Sequence, residues 1–294
     1  MTDDARWPRA SAWLARHTDA GHVDLAVLGV PAHRTSISAT QAHLTPQAIR
    51  EALARFSTYS WSHDVDVDTL RVRDLGDVRD PDGPDGEERV AVAIGVADAD
   101  LLIALGGDNS ITYSVMRGTF PDLSTAGLVT LDAHHDLRDG VSNGSPIRRL
   151  VEAGLSGGRV VQVGIADFSN SREYAQRARD LGITVIPRDT LRRRPIADVM
   201  AEALAIAGEG GARVHVDLDV DVCDRAVAPG CPAAAPGGIS ADELRQAAFH
   251  AGAHPQVRSL DITEIDAEAD GPDGRTVRLG ALLILEAAAG LASR

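Results

Sequence analysis

Gly127-Leu-Val-Thr-Leu131 is an apolar run of strand length that passes without a break into Asp132-Ala-His134-His-Asp136. A short apolar run of this kind reads as a strand buried on both faces, and such strands need helices on both sides of their sheet. Similar runs recur at Val23–Val30, Leu101–Leu105, Arg159–Ile165, Ile183–Ile186, Arg213–Leu218 and Val257–Ile262, with helical patterns between them. The alternation predicts an α/β fold, a three-layer αβα arrangement around a mostly parallel central sheet. Thr45, followed by Pro46, is expected to cap a helix carrying Ala48, Ile49, Ala52 and Leu53. Leu279 to Leu291, rich in alanine and leucine, is expected to form a last helix packed on the sheet. The Pro/Gly-rich stretches Asp80–Gly86 and Ala233–Gly238 have strand patterns on both sides, so residues 1–294 are expected to form one domain.

The 294 residues include 29 basic and 43 acidic side chains, a net charge of −14, and only 3% are aromatic. Every basic residue is arginine, which excludes P-loop lysines, Schiff-base lysines and Ser-Lys pairs together. With no basic cluster beyond Arg192-Arg193-Arg194 and few rings to stack on bases, the composition argues against nucleic-acid and anionic-membrane partners. Cys223 and Cys231 are too far apart for a CxxC motif and lack partners for a structural zinc site, so they read as free thiols of a reducing compartment. The acidic start, Met1–Asp4, and the lack of a long uncharged apolar run predict neither a signal peptide nor a membrane span, hence a cytoplasmic protein.

Three segments follow predicted strands, and in open α/β sheets ligands bind at the carboxyl ends of the strands. In the first, Asp132, His134 and Asp136 alternate and would project together as the strand runs out. Their oxygen and nitrogen donors suit manganese, iron, cobalt or zinc, although a solvated strand end with a satisfied histidine fits the same residues. In the second, Asp217, Asp219 and Asp221 alternate with Val216, Leu218 and Val220. Three like charges on one strand face repel one another unless a cation sits among them. The third, Gly106-Gly-Asp-Asn109-Ser110, serves equally as a tight turn with an Asp or Ser helix cap and as part of a site. No GxGxxG follows the first strand, so a dinucleotide-binding module is not expected.

In this order and at these separations, the three segments resemble those of the ureohydrolases: arginases, agmatinases, guanidinobutyrases and formimidoylglutamases. The resemblance extends to Thr45-Pro-Gln-Ala-Ile-Arg50, Asp74-Leu-Gly-Asp77, Ala228-Pro-Gly230 and Ser259-Leu-Asp-Ile-Thr-Glu264-Ile265, and so spans most of the chain. It implies an arginase-like fold and two Mn2+ ions ~3.5–4 Å apart. Counting back eight and ten residues from Pro229, as in that family, selects Asp221 and Asp219 and leaves Asp217 at a position usually held by serine. The implied ligand set is Asn109, Asp132, His134, Asp136, Asp219 and Asp221, whose four carboxylates balance two divalent ions. Asn109 replaces a usual histidine and offers only a neutral amide oxygen, so the ion beside it is expected to be held more weakly. Asp136 would also carry a proton, and Glu264 would hold the cationic N–H groups of the substrate. Glu264 is followed by Ile265-Asp266-Ala267 where the family commonly has valine, asparagine and proline, which leaves the loop's shape open.

Asn143 stands where arginases and agmatinases carry histidine, whereas Ser142–Leu150, Gly164–Ser171 and Ala228–Pro232 are similar to formimidoylglutamases. That resemblance implies hydrolysis of a linear amidine, N-formimidoyl-L-glutamate, to L-glutamate and formamide in histidine breakdown. The two carboxylates of this substrate, absent from agmatine, point to Arg138, Asn143, Ser145 and Arg148 as contacts, with the helix N-terminus after Pro146. For each arginine, plain surface charge is the alternative. Agmatinase, guanidinobutyrase or arginase activity is the alternative within the family, and a catalytically silent binding or sensor protein is the alternative outside it. The resemblance also implies a homo-oligomer.

Overall fold

The computed structural model describes Asp4, residues 6–16 and residues 21–294, so the acidic start lies, apart from Asp4, outside the described residues. Eight strands form the central sheet: β1 (Val23–Val30), β2 (Val72–Asp77), β3 (Ala99–Gly106), β4 (Ala126–Leu131), β5 (Val160–Ile165), β6 (Thr184–Pro187), β7 (Arg213–Asp219) and β8 (Val257–Thr263). Their order is β2-β1-β3-β8-β7-β4-β5-β6, and every neighbouring pair is parallel. All but β2 are the apolar runs of the sequence. β2 lies on the sheet edge and reads Val-Arg-Asp-Leu-Gly-Asp, whose three charged residues, two of them paired with Arg50, hide it from an apolar-run criterion. A short antiparallel ribbon, Tyr59–Ser60 with Val65–Asp66, stands apart from the sheet.

The two faces of the sheet differ. On one, Val27, Ile103, Val129, Val163, Val216 and Ile262 join a single core with helices Thr45–Ala52, Ile196–Ala207, Ala241–Ala253 and Arg275–Ala292. The other face is apolar only to either side of its middle, around Leu28, Val90, Leu102 and Ile111 and around Leu128, Ile147, Leu150 and Val160. Between these patches β4, β7 and β8 carry Thr130, His215, Asp217, Ser259 and Asp261, all fully buried. This polar stripe runs up the central strands toward their carboxyl ends. Among the described residues no helix is long and apolar enough to cross a membrane.

Two helix starts differ from the sequence reading. Thr45 does not cap its helix: a turn at Ala42–Leu44 precedes it, and the Thr45 hydroxyl donates to the Ile265 carbonyl, tying the helix to the loop after β8. The last helix begins at Arg275, a turn before the apolar run, after Gly274 in the left-handed region (φ 62°); Arg275 and Arg278 keep that first turn out of the apolar pattern. This helix crosses Ala241–Ala253 at glycines. A Cβ on Gly252 would lie 2.0 Å from the Ala287 carbonyl oxygen, and one on Gly290 2.2 Å from that of Phe249. Gly252→Val should therefore push the helices apart and cost about 1–3 kcal/mol, as overpacking does. The check is the urea midpoint, and an unchanged midpoint would contradict this crossing.

Candidate metal centre

The site is built on the carboxyl ends of the four central strands, in sheet order β3, β8, β7 and β4. The turn after β3 runs so close to the loop after β1 that a Cβ on Gly107 would lie 1.7 Å from the Ala32 carbonyl oxygen. Asp108 N–H donates to that same oxygen, and the Gly107 carbonyl accepts from Glu264 N–H. The loops after β1, β3 and β8 are thereby laced together by backbone.

β4 stops at Leu131, so Asp132–Asp136 is a loop and its side chains meet by turning, not by strand pleat. His134 N–H donates to Asp132 Oδ1 (2.6 Å), and Asp136 adopts a left-handed conformation (φ 51°). His135 Nδ1 lies 2.7 Å from Gln162 Oε1, which ties this ring to β5. β7 likewise stops at Asp219, whose Oδ1 accepts from Asp221 N–H in a tight turn. The expected ladder of three aspartates is thus corrected: Asp217 and Asp219 lie on the strand, and the turn swings Asp221 across to His134. His134 Nδ1 lies 2.7 Å from Asp221 Oδ2, and Ala133 N–H donates to Asp221 Oδ1. Asp132, His134 and Asp221 offer ligand atoms all within 4.8 Å of one another. Asp132 Oδ2 is buried there with no hydrogen-bond partner.

These groups meet Asn109, Asp136, Asp219 and Glu264 at a cavity of about 240 Å³, with Asp132 buried beneath. The Asn109 amide nitrogen donates to Asp136 Oδ2 (2.7 Å), and its oxygen accepts from the Thr112 and Thr263 hydroxyls. Glu264, also left-handed (φ 64°), accepts at Oε1 from Asn109 N–H (2.8 Å) and from the Asn143 amide (2.9 Å). Asn143 lines the cavity with its oxygen engaged by Ile37 N–H, so it positions Glu264. The loop after Glu264 is fixed by Asp266, whose carboxylate accepts from Gln41 and Glu268 N–H.

Of the expected substrate contacts, Arg138 lines the cavity, and its guanidinium has no ion pair or hydrogen bond among the described residues. Ser145 and Arg148 do not line it, which corrects their expected role. The Ser145 hydroxyl is buried against Ser142. Arg148 donates to the Arg138 and Gly140 carbonyls and to Glu152, bracing the loop that presents Arg138. Ile37, Ser38, Ser169 and Tyr174 also line the cavity and were not singled out in the sequence. The strand-end rule applied to β1 would have found the first two.

Burial, with repulsion from Asp136 and Asp221, holds the Asp132 carboxyl well above its usual range. Burial and the charges of Asp221 and Asp132 do the same to Asp219. Burial pushes Asp136 up to about 7 against the opposing pull of His134, and burial with Asp108 pushes Glu264 up to about 8. His134 is raised to about 9: burial opposes this, but the Asp221 carboxylate outweighs it. Burial likewise opposes the lowering of Asp221, which the hydrogen bond from His134 brings about. Carboxylates that burial drives to take up protons are groups that cations would relieve. Carboxylate oxygens with one imidazole nitrogen fit divalent transition ions.

The arginase family model matches residues 23–290. The formimidoylglutamase of Halalkalibacterium halodurans is 38% identical over 255 residues, 83% of this chain and 80% of that protein. The crystal structure of formimidoylglutamase from Bacillus subtilis superimposes with a TM-score of 0.92 at 31% identity, over 99% of this chain and 94% of that one. Trypanosoma cruzi formiminoglutamase, crystallised with Mn2+, shares the fold with a TM-score of 0.89 at 24% identity, over 98% of this chain and 99% of that one.

A carboxyl whose pKa is raised by folding stabilises the folded chain fully below its unfolded pKa and loses that contribution as pH rises through the folded value. For Asp136 and Glu264 this window runs from about pH 4 to about 7 and 8. Metal-free protein should lose thermal stability across it. Added divalent ions, which displace the protons, should restore stability increasingly toward high pH. A metal-free melting temperature that climbs steadily over the same range would contradict the geometry.

Proposed function

This chain belongs to the arginase family, and from that premise we propose that it hydrolyses N-formimidoyl-L-glutamate to L-glutamate and formamide. The observation that carries this reading is the presence in one cavity of an acidic, imidazole-containing floor and an unpaired arginine, Arg138. The cationic amidine group suits the acids, and a substrate carboxylate suits the guanidinium. Agmatine, which has no carboxylate, would leave Arg138 facing a cation.

Asp132, His134, Asp136, Asp219 and Asp221 would hold two manganese ions, which when bound supply a water acidified toward ~pH 7 as nucleophile. The Asn109 amide, which the sequence places in that set, has its oxygen taken by the Thr112 and Thr263 hydroxyls and stands outside it. Glu264, fixed at Oε1 by Asn109 and Asn143, keeps Oε2 for a substrate N–H. That bond orients the amidine carbon over the floor. Asp136, oriented by the Asn109 amide at Oδ2, takes a proton there and returns it to the leaving nitrogen. Arg138 fixes the far end of the substrate, and Arg148 acts only by holding the Arg138 carbonyl.

Manganese-loaded protein should release formamide from N-formimidoyl-L-glutamate, and urea formed from arginine, agmatine or guanidinobutyrate without formamide would overturn the assignment. Arg138→Ala should remove a charge-assisted bond of about 1.5–3 kcal/mol. KM should then rise roughly 10- to 100-fold with kcat little changed. With no metal-binding nitrogen at residue 109, one ion should be more weakly held, so metal analysis after exhaustive dialysis should give fewer than two equivalents, and Asn109→His should raise the value.

A further inference from the structure

We propose that Asp217, Asp261 and Thr130 hold a third, monovalent cation in the layer of the sheet directly beneath the divalent pair. Thr130 is the register partner of Asp217 across β4 and β7, and Asp217 is the register partner of Asp261 across β7 and β8. Partners in a parallel sheet direct their side chains to the same face. Two residues further along β7 stands Asp219, and two further along the chain from Thr130 stands Asp132, both proposed divalent ligands.

All three side chains are fully buried. Thr130 Oγ1 and both carboxylate oxygens of Asp217 and of Asp261 have no hydrogen-bond partner. Two divalent ions would offset Asp132, Asp136, Asp219 and Asp221, and among the described residues only His215 stands within ion-pair distance of Asp217 or Asp261. His215 Nε2 lies 3.2 Å from Asp261 Oδ2 without making a hydrogen bond, while its Nδ1 is held at 2.8 Å by Ser259. No arginine forms an ion pair with either aspartate among the described residues.

Buried polar groups without partners call for an ion or water, and adjacent buried carboxylates call for positive charge. One shared proton would serve two of these oxygens and leave the others bare, whereas a cation coordinates several at once. Among the described residues the only three-residue set of close metal-binding atoms is Asp132, His134 and Asp221. Asp217 and Asp261 therefore close no tight nitrogen–oxygen cage with His215. The five unpartnered oxygens suit a singly charged ion coordinated by oxygen alone, such as K+.

The test uses the manganese-loaded protein crystallised with K+ replaced by Rb+ or Tl+. The expected result is an anomalous peak between Asp217, Asp261 and Thr130, together with a melting temperature higher in KCl than in choline chloride at equal ionic strength. Asp217→Ser should abolish both effects. The wild-type measurement stands alone should that variant fail to fold. A site holding only water or a shared proton, with no anomalous peak, overturns the proposal, and so does a manganese peak at that position. Either outcome leaves the reading of the hydrolytic site untouched.

Discussion

The structure depends on keeping acidic side chains together where water cannot screen them. Asp132, Asp136, Asp219, Asp221 and Glu264 are each less than a tenth exposed, and Asp217 and Asp261 lie fully buried below them. In a medium of low effective dielectric such charges repel strongly, so the folded chain can hold them only with protons or cations among them. The sheet is organised around that demand. One face is closed by a continuous apolar core, and the other is split by the polar stripe that leads to the cluster. The dry face supplies the hydrophobic burial from which the whole arrangement draws its stability.

Backbone strain occurs at the same place, as it also does at Asp64, Asp80 and Phe168. Asp136 and Glu264 are both non-glycine residues in left-handed backbone, a conformation that costs of order 1–3 kcal/mol each and persists only where the surroundings over-determine it. Here they do. Asp136 is held by the Asn109 amide, and Glu264 by Asn109 N–H, Asn143 and the Gly107 carbonyl. Thr45 and Asp266 anchor the segment that follows Glu264. Residues far apart in sequence thereby fix two carboxylates whose directions matter for chemistry.

The strands were legible because strands buried on both sides leave unbroken apolar runs, and β2 was hidden because an edge strand need not. The strand-end position also pointed to residues that meet at the cavity, although a solvated strand end fitted Asp132, His134 and Asp136 equally well. The geometry of the site was not legible. The contact between His134 and Asp221 depends on two turns, after Leu131 and after Asp219, each closed by an aspartate accepting from a backbone N–H two residues on. Arg148 looked like Arg138 in the sequence. What separates them is where neighbouring carbonyls fall: Arg148 finds those of Arg138 and Gly140, and Arg138 faces the open cavity. No local pattern encodes that difference, because it follows from the path of the loop between β4 and the helix Pro146–Glu152.

Asn109 links these themes. A histidine there would offer one ring nitrogen to a metal and have only the other for support. The asparagine makes three side-chain contacts, to Asp136, Thr112 and Thr263, while its backbone N–H holds Glu264. One residue thus connects two buried carboxylates of the cluster, Asp136 and Glu264. The connection to Glu264 runs through backbone and survives any change of side chain at residue 109. The alignment of Glu264 is thus carried by the backbone of residue 109, and that of Asp136 by its side chain.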